Sequence, residues 1–165
     1  MAKAKLAIRN SYIRTDSYFK DVMKIIEPAT EQELKMYYDL RYEILRKPWN
    51  QTYASTFDEW EKNSVHVLML NDNGEPVATG RLQLNSAEEG QIRSMAVSET
   101  EQGKGLGTKI LLRLEEEARK KNLKHIILDA RDGAVNFYKK NGYHVEGDSY
   151  FLFDTIPHFK MKKLL

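Results

Sequence analysis

Three glycines in five positions, Gly103, Gly105 and Gly107, stand between an apolar run, Gln91-Ile-Arg-Ser-Met-Ala-Val97, and a segment in which Leu106, Ile110, Leu114 and Ala118 recur every fourth residue with Leu111 beside them. That recurrence is one buried face of a helix. The first four amides of a helix have no partner inside it, and the dipole there favours anions. Glycines at that end leave the N–H groups uncovered by any Cβ, so the chemistry implied is phosphate binding by backbone. The spacing narrows which phosphate. A Rossmann fingerprint places its third glycine one residue later, and a P-loop closes on Gly-Lys-Ser/Thr where this chain reads Gly107-Thr-Lys109.

Composition removes other chemistries. The 165 residues include no cysteine, which excludes disulfides, a thiol nucleophile and a thiolate metal site together. His66, His125, His144 and His158 are scattered without ligand spacing, so no metal is expected. A net charge of +2 gives no sign of a general nucleic-acid binder. No apolar run approaches the ~18–20 residues needed to span a bilayer. The expectation is therefore a cytoplasmic protein with neither nucleic acid nor membrane as partner, and with a homodimer left open.

These residues need elements to position them. The length suits one domain with a normal core. Residues 1–22 are rich in basic residues, serines and tyrosines. An organelle transit peptide has a similar composition, and a weakly docked or flexible extension is the simpler reading. The domain is then 23–165. Met23–Ile26 reads as a short strand. Thr30 and Glu33 have capping-box spacing, and the helix after them sets Leu34, Tyr37, Tyr38, Ile44 and Leu45 on one side before Pro48. Asn50 to Lys62 reads as a loop and a short helix. Ser64–Leu70, Val77–Leu84 and Gln91–Val97 form an antiparallel meander, turned at Asn71-Asp-Asn-Gly74 and around Glu88-Glu-Gly90. After the glycine loop and its helix come a strand, His125–Ala130, and a short helix, Ala134–Lys140, stopped by Asn141-Gly142. Tyr143–Glu146 and Pro157–Lys163 supply two last strands, separated by Gly147 to Thr155. The layout is α/β, a mixed sheet flanked by helices. A right-handed crossover joins its central parallel strands, which can splay at their ends and leave a ligand crevice.

Gln102-Gly-Lys-Gly-Leu-Gly107 resembles Gln/Arg-x-x-Gly-x-Gly/Ala, the pyrophosphate loop of the GNAT superfamily of acetyl-CoA-dependent N-acetyltransferases. Ala134-Val-Asn-Phe-Tyr138 with Asn141-Gly-Tyr143 resembles the second signature of that superfamily, in the right order. Together the two cover roughly Gln91 to Glu146. Ile156-Pro-His-Phe-Lys-Met161 and Leu40-Arg-Tyr-Glu-Ile-Leu45 are further similar to its ElaA-like branch. Thr155 stands where that branch commonly has glycine, and Arg131 where it tends to have glutamine.

The resemblance implies acetyl-CoA as co-substrate, a GNAT fold splayed between two parallel strands, and roles for particular residues. The amides of Gln102, Gly103, Lys104, Gly105, Leu106, Gly107 and Thr108 would hold the pyrophosphate, with Lys104 and Lys139 or Lys140 as point charges. The backbone of Met95, Ala96 and Val97 would pair with the pantetheine arm, one amide facing the thioester oxygen, and Asn136 would bond its amides. Tyr138 takes the place of the proton donor. A phenol of pKa ~10 is protonated at neutral pH, and a departing thiolate whose thiol has a pKa of ~8.5 can share that proton. Asp129 and His158 are the candidates for a base, with solvent as the third possibility. Acceptor contacts are expected from Tyr38, Arg41, Glu43, Trp49 and Tyr53 on the first helix and its loop, and from Arg93. The reaction implied is acetyl transfer to a primary amine of a small molecule or peptide. The alternatives are a silent acyl-CoA-binding module of the same fold and a different nucleotide-binding α/β protein.

Overall fold

The computed structural model describes residues 23–165 of the protein, and the expected extension, residues 1–22, lies outside them. Chain order is strand β1 (Lys24–Ile26), helix α1 (Glu31–Leu45), three short 3-10 turns between Lys47 and Asn63, strands β2 (Ser64–Leu70), β3 (Pro76–Leu84) and β4 (Glu89–Val97), helix α2 (Leu106–Lys120), strand β5 (His125–Arg131), short helix α3 (Val135–Lys140), and strands β6 (His144–Leu152) and β7 (Ile156–Leu164). The strands make one mixed sheet in the order β1-β2-β3-β4-β5-β7-β6, in which β4 and β5 run parallel. This is the α/β arrangement read from the sequence. No helix among the described residues is long and apolar enough to cross a membrane.

Local chemistry accounts for the helix starts and faces. Thr30 accepts from the Glu33 amide, and the Glu33 carboxylate accepts in turn from the Thr30 and Ala29 amides, which completes the capping box. On α2 every residue of the expected face is buried: Leu106, Ile110, Leu111, Leu114 and Ala118. Glu115 is buried with them. It stays there because Lys163 Nζ donates to both of its carboxylate oxygens at 2.8 Å.

The phase of α1 differs from the expectation. Tyr37, Leu40 and Arg41 are its buried residues, while Leu34, Tyr38, Ile44 and Leu45 are half-buried. An apolar-periodicity argument skips Arg41 because a lone arginine cannot be buried, and this one is not alone. Its Nη1 and Nη2 donate to Glu61 at 2.9 and 3.0 Å, and Nη2 also reaches the Thr56 carbonyl at 2.7 Å. Arg81 on β3, with no solvent exposure, holds Asp58 through both guanidinium nitrogens at 2.8 and 2.7 Å and also bonds Glu61. Two guanidinium groups and two carboxylates thus neutralise one another beneath α1. His66 completes the cluster. Its Nε2–H donates to the Glu61 carbonyl at 2.7 Å, its Nδ1 accepts from the Tyr37 hydroxyl at 3.0 Å, and burial pushes its pKa down, so it is neutral.

The C-terminal strands are longer than expected. The stretch Gly147 to Thr155, read as a connection, belongs mostly to β6, which reaches Leu152. Register breaks at Val145/Gly147 and Asp148/Phe151 spoil the alternation that marks a strand. Almost every residue of β6 is exposed, so no apolar pattern betrays it. Phe153 and Asp154, both at positive φ, open the three-residue turn, Phe153 to Thr155, into β7.

The buried charge cluster makes a stability prediction. Glu61→Gln leaves Arg41 and Arg81 with a single carboxylate between them, and breaking a buried pair this way costs about 3–5 kcal/mol. Urea unfolding should report a loss of that order. A loss below about 1 kcal/mol would mean that water reaches the guanidinium groups instead, as at a surface pair.

Candidate active site

The parallel ladder between β4 and β5 is short. Glu89, Gly90 and Gln91 pair with His125, Ile126 and Ile127, and there it ends. β4 continues along β3 to Val97 while β5 continues along β7 to Arg131. Between the two diverging strands, backbone from Ile92 onward on β4 has no strand partner on that side. Ser94, at φ 54°, marks a bulge opposite Gly80 that turns β4 further away.

A cavity of about 600 Å3 occupies this gap. Residues directly opposed across an antiparallel pair project to the same face, so His158 and Arg131 stand side by side, as do Lys160 and Asp129. His158 is 6% exposed, and its Nδ1 lies 2.9 Å from the Ile156 carbonyl. A carbonyl only accepts, so Nδ1 is the donor, and it is the neutral ring that presents a lone pair at Nε2. Tyr150 stacks on the imidazole with ring centroids 4.9 Å apart. Asp129 is held by two donors, Gln91 Nε2 at 2.9 Å and Ser149 Oγ at 2.6 Å, one on each carboxylate oxygen.

Tyr138 also lines the cavity. Its ring is 8% exposed and sits edge-on to Phe137 and Tyr143. Its hydroxyl makes no hydrogen bond among the described residues. Burial pushes the phenol up to about 12, against a smaller opposing pull from the Arg131 guanidinium. The position of Tyr138 is fixed from behind α3. Lys163 Nζ, bound to Glu115 on α2, also donates to the Asn141 carbonyl at 2.9 Å, and Asn141 Nδ2 donates to the Phe137 carbonyl at 2.8 Å.

At the other end of β4 lies the glycine loop. No side chain caps α2, and its first turn holds no acid, so its leading amides are unclaimed. Gly103 and Gly105 take φ values of +78° and +80°, and a Cβ at either would meet nothing within 4 Å. Here glycine is required by conformation, and the space beside it is open. At Gly107 a Cβ would come into ordinary contact with the Phe137 ring at 3.4 Å. Gln102 Nε2 donates to the Val97 carbonyl at 3.1 Å and ties the loop to the end of β4. Leu106 is buried, Thr108 is half-buried, and Lys104, which pairs with Glu101, is exposed with Asn136 and Lys139. An open cradle of amides joined to a strand with an unpaired edge suits a long ligand in which a diphosphate carries an extended, amide-bearing arm, as in acetyl-CoA. Among the described residues no group of three His, Asp or Glu is placed to hold a metal ion.

The structure therefore brings Tyr138, Asp129, His158, Met95, Arg93 and Trp49 to one cavity. It does not bring Tyr38, Arg41, Glu43 or Tyr53 there. Arg41 is locked in the buried charge cluster, and Tyr38 bonds Glu61 at 3.2 Å. Glu43 pairs with Lys47 at the surface, and Tyr53 donates to Asp39. The rotated phase of α1 explains this, because the helix turns Leu45 and Arg46 to the cavity instead. Arg46, Arg131 and Tyr150 escaped the sequence reading as wall residues. Tyr150 lies in the bulged strand taken for a connection. Arg131 was visible only as a departure from a motif.

Comparison with known proteins agrees with this geometry. The profile of the acetyltransferase (GNAT) family matches residues 34–143. An uncharacterized N-acetyltransferase, YjcF of Bacillus subtilis, is 33% identical over 141 residues, covering 86% of this chain and 99% of its own length. Among solved structures, Escherichia coli ElaA superimposes with a TM-score of 0.72 at 21% identity, covering 87% of this chain and 99% of its own. A GNAT family acetyltransferase from Elizabethkingia anophelis with acetyl-CoA bound superimposes with a TM-score of 0.70 at 16% identity, covering 87% and 98%. At these identities both structural likenesses are of fold. Family profile, sequence relative and splayed sheet lead to one assignment: the chain belongs to the GNAT acetyltransferase family and is an N-acetyltransferase.

Proposed function

We propose that the protein moves the acetyl group of acetyl-CoA to the primary amine of a small molecule by direct attack on the thioester. The observation that carries this reading is the unpartnered Tyr138 hydroxyl at the splay, in one cavity with the free Nε2 of His158. A silent binding module would have no use for either group.

The leading amides of α2, with Gln102 to Gly105 before them, bind the diphosphate, and Lys104 and Lys139 add charge at the exposed rim. The free edge of β4 at Met95 to Val97 pairs with the amide-bearing arm as an added strand would, and Asn136 reaches it from α3. Acetyl-CoA supplies an acyl carbon activated by its thioester. The amine must be neutral to attack, and His158 Nε2 receives its proton. Asp129 already accepts on both oxygens, so it orients Gln91 and Ser149 in the wall. As the adduct collapses, Tyr138 shares its proton with the departing sulfur, and the proton shed by nitrogen replaces it. A phenol held near 12 is a donor at every working pH.

Three measurements test these roles. Gly105→Val puts a branched Cβ in the open space at a φ that L residues avoid, and acetyl-CoA affinity in calorimetry should fall at least tenfold, by about 1.4 kcal/mol. Unchanged affinity removes the cradle from the assignment. Tyr138→Phe should lower kcat by roughly 10²–10⁴-fold with acetyl-CoA affinity nearly constant. Because the phenol is raised, wild-type kcat should show no falling limb up to pH ~10, where an ordinary tyrosine begins to ionise. Such a limb, lost in Tyr138→Phe, would mean the hydroxyl is less shielded than its burial implies. Finally, His158→Gln should abolish the rising limb of kcat/KM. If that limb instead tracks the acceptor's own pKa and survives, the enzyme selects neutral amine from solution.

A further inference from the structure

Three guanidinium groups, Arg46, Arg93 and Arg131, line the cavity. Alternation along the strands sets Arg93, Asp129 and Arg131 on the face of the sheet opposite Ile92, Leu128 and Ala130, which pack into the core with α2. The contrast with the cluster beneath α1 is direct. There Arg41 and Arg81 are each paired with carboxylates. Among the described residues none of the three cavity arginines has an acidic partner. Arg46 is oriented all the same, since its Nε donates to the Ser55 carbonyl at 3.0 Å and its Nη1 to the Leu45 carbonyl at 3.2 Å. Those bonds fix the guanidinium without neutralising it and, among the described residues, leave Nη2 without a hydrogen-bond partner.

Of the carboxylates that share the cavity, only Asp58 is neutralised by an arginine outside it, and none pairs with the three cavity arginines. Asp58 is held by Arg81, Asp129 by Gln91 and Ser149, and Asp132 stands at the surface where α3 begins. Burial, with Arg41, Arg93 and Arg131 nearby, pushes the Arg46 guanidinium below its usual value. Like charges gathered in a half-buried wall are costly unless an anion joins them, and guanidinium forks match carboxylate and phosphate oxygens. The diphosphate of the donor cannot be that anion, because no residue of the glycine loop lines the cavity. The end of the donor that enters here is an uncharged acetyl.

We infer that the acceptor is a small amine bearing a carboxylate or phosphate, gripped by Arg93 and Arg46 while its amine stands at His158. This rests on acetyl transfer being the reaction of the site. A volume of about 600 Å3 is that of a small-molecule pocket, and with Asp58 paired to Arg81 the three arginines outnumber Asp129 and Asp132 in the lining, a net positive charge that disfavours a polyamine.

Trp49 on the cavity wall reports occupancy directly, without turnover. In a Trp60→Phe background at constant ionic strength, inorganic phosphate or succinate should change Trp49 fluorescence saturably. Arg93→Gln and Arg46→Gln should each weaken that response at least tenfold. The tighter of the two probes names the group. No saturable response to either anion, or one that survives both substitutions, overturns the inference. Failure of the acetyl-transfer reading is distinct, since it appears as loss of acetyl-CoA binding in calorimetry with the arginine-dependent anion response intact. In transfer assays phosphoethanolamine against ethanolamine, and β-alanine against propylamine, should favour the anionic member of one pair at least tenfold in kcat/KM. Arg93→Gln should bring that ratio to within threefold of one.

Discussion

Backbone amides and carbonyls are obligatory hydrogen-bonding groups, and a sheet ordinarily satisfies them on both sides of every interior strand. In this protein the two central strands stop satisfying each other after three pairs. β4 is committed to β3, and β5 to β7, so the divergence is imposed from outside by two well-formed antiparallel ladders. What remains is a strand edge in the middle of the sheet, reached only by a ligand able to behave like a strand. The glycine loop follows soon after the end of that edge, and Tyr138 and His158 both line the gap. The chemistry of the protein is concentrated where its regular structure is interrupted.

Much of this could be read in the residues because it follows from local rules. The capping box at Thr30, the turn at Asn71-Asp-Asn-Gly74 and the buried stripe of α2 each depend on a few neighbouring residues, and each forms as expected. The backbone of the glycine loop was legible for the same reason, since Gly103 and Gly105 hold positive φ values that side chains disfavour. The acceptor wall was not. Arg41 looks like a surface residue until Glu61, twenty positions away, is brought against it. Tyr150 sits in a strand whose bulges and exposure erase any alternation. Pairings made by tertiary structure leave no periodic trace in the chain.

The two groups of arginines show how the surroundings decide the meaning of one side chain. Arg41 and Arg81 lie deep, and each is matched to carboxylates on the short turns between α1 and β2. Removing a partner there is a matter of stability. Arg46 follows Arg41 by little more than a helical turn, yet it leans on main-chain carbonyls and the Phe153 ring, at the tip of the β6–β7 turn. Phe153 holds a positive φ, and its ring lies 6.3 Å from that of Trp49, a residue of the cavity wall. The hairpin itself lends Tyr150, Leu152, Ile156 and His158 to that wall, and it does so with a bulged pair of strands.

Gly80 carries one further consequence. A Cβ at this position would stand 2.7 Å from Ile110, 2.8 Å from Leu114 and 2.9 Å from the Met95 sulfur. α2 therefore rests on bare backbone at the one place where the bulge of β4 also touches it. The helix that carries the cradle and the bend beside the cavity are thereby packed against one stretch of β3, which contributes no side chain of its own to the contact. On the proposed reading of the site, this packing acts as a caliper for the donor. A carrier whose charged head and reactive end are spaced differently can engage one jaw or the other, and the choice of acyl carrier becomes a matter of length before it is a matter of chemistry.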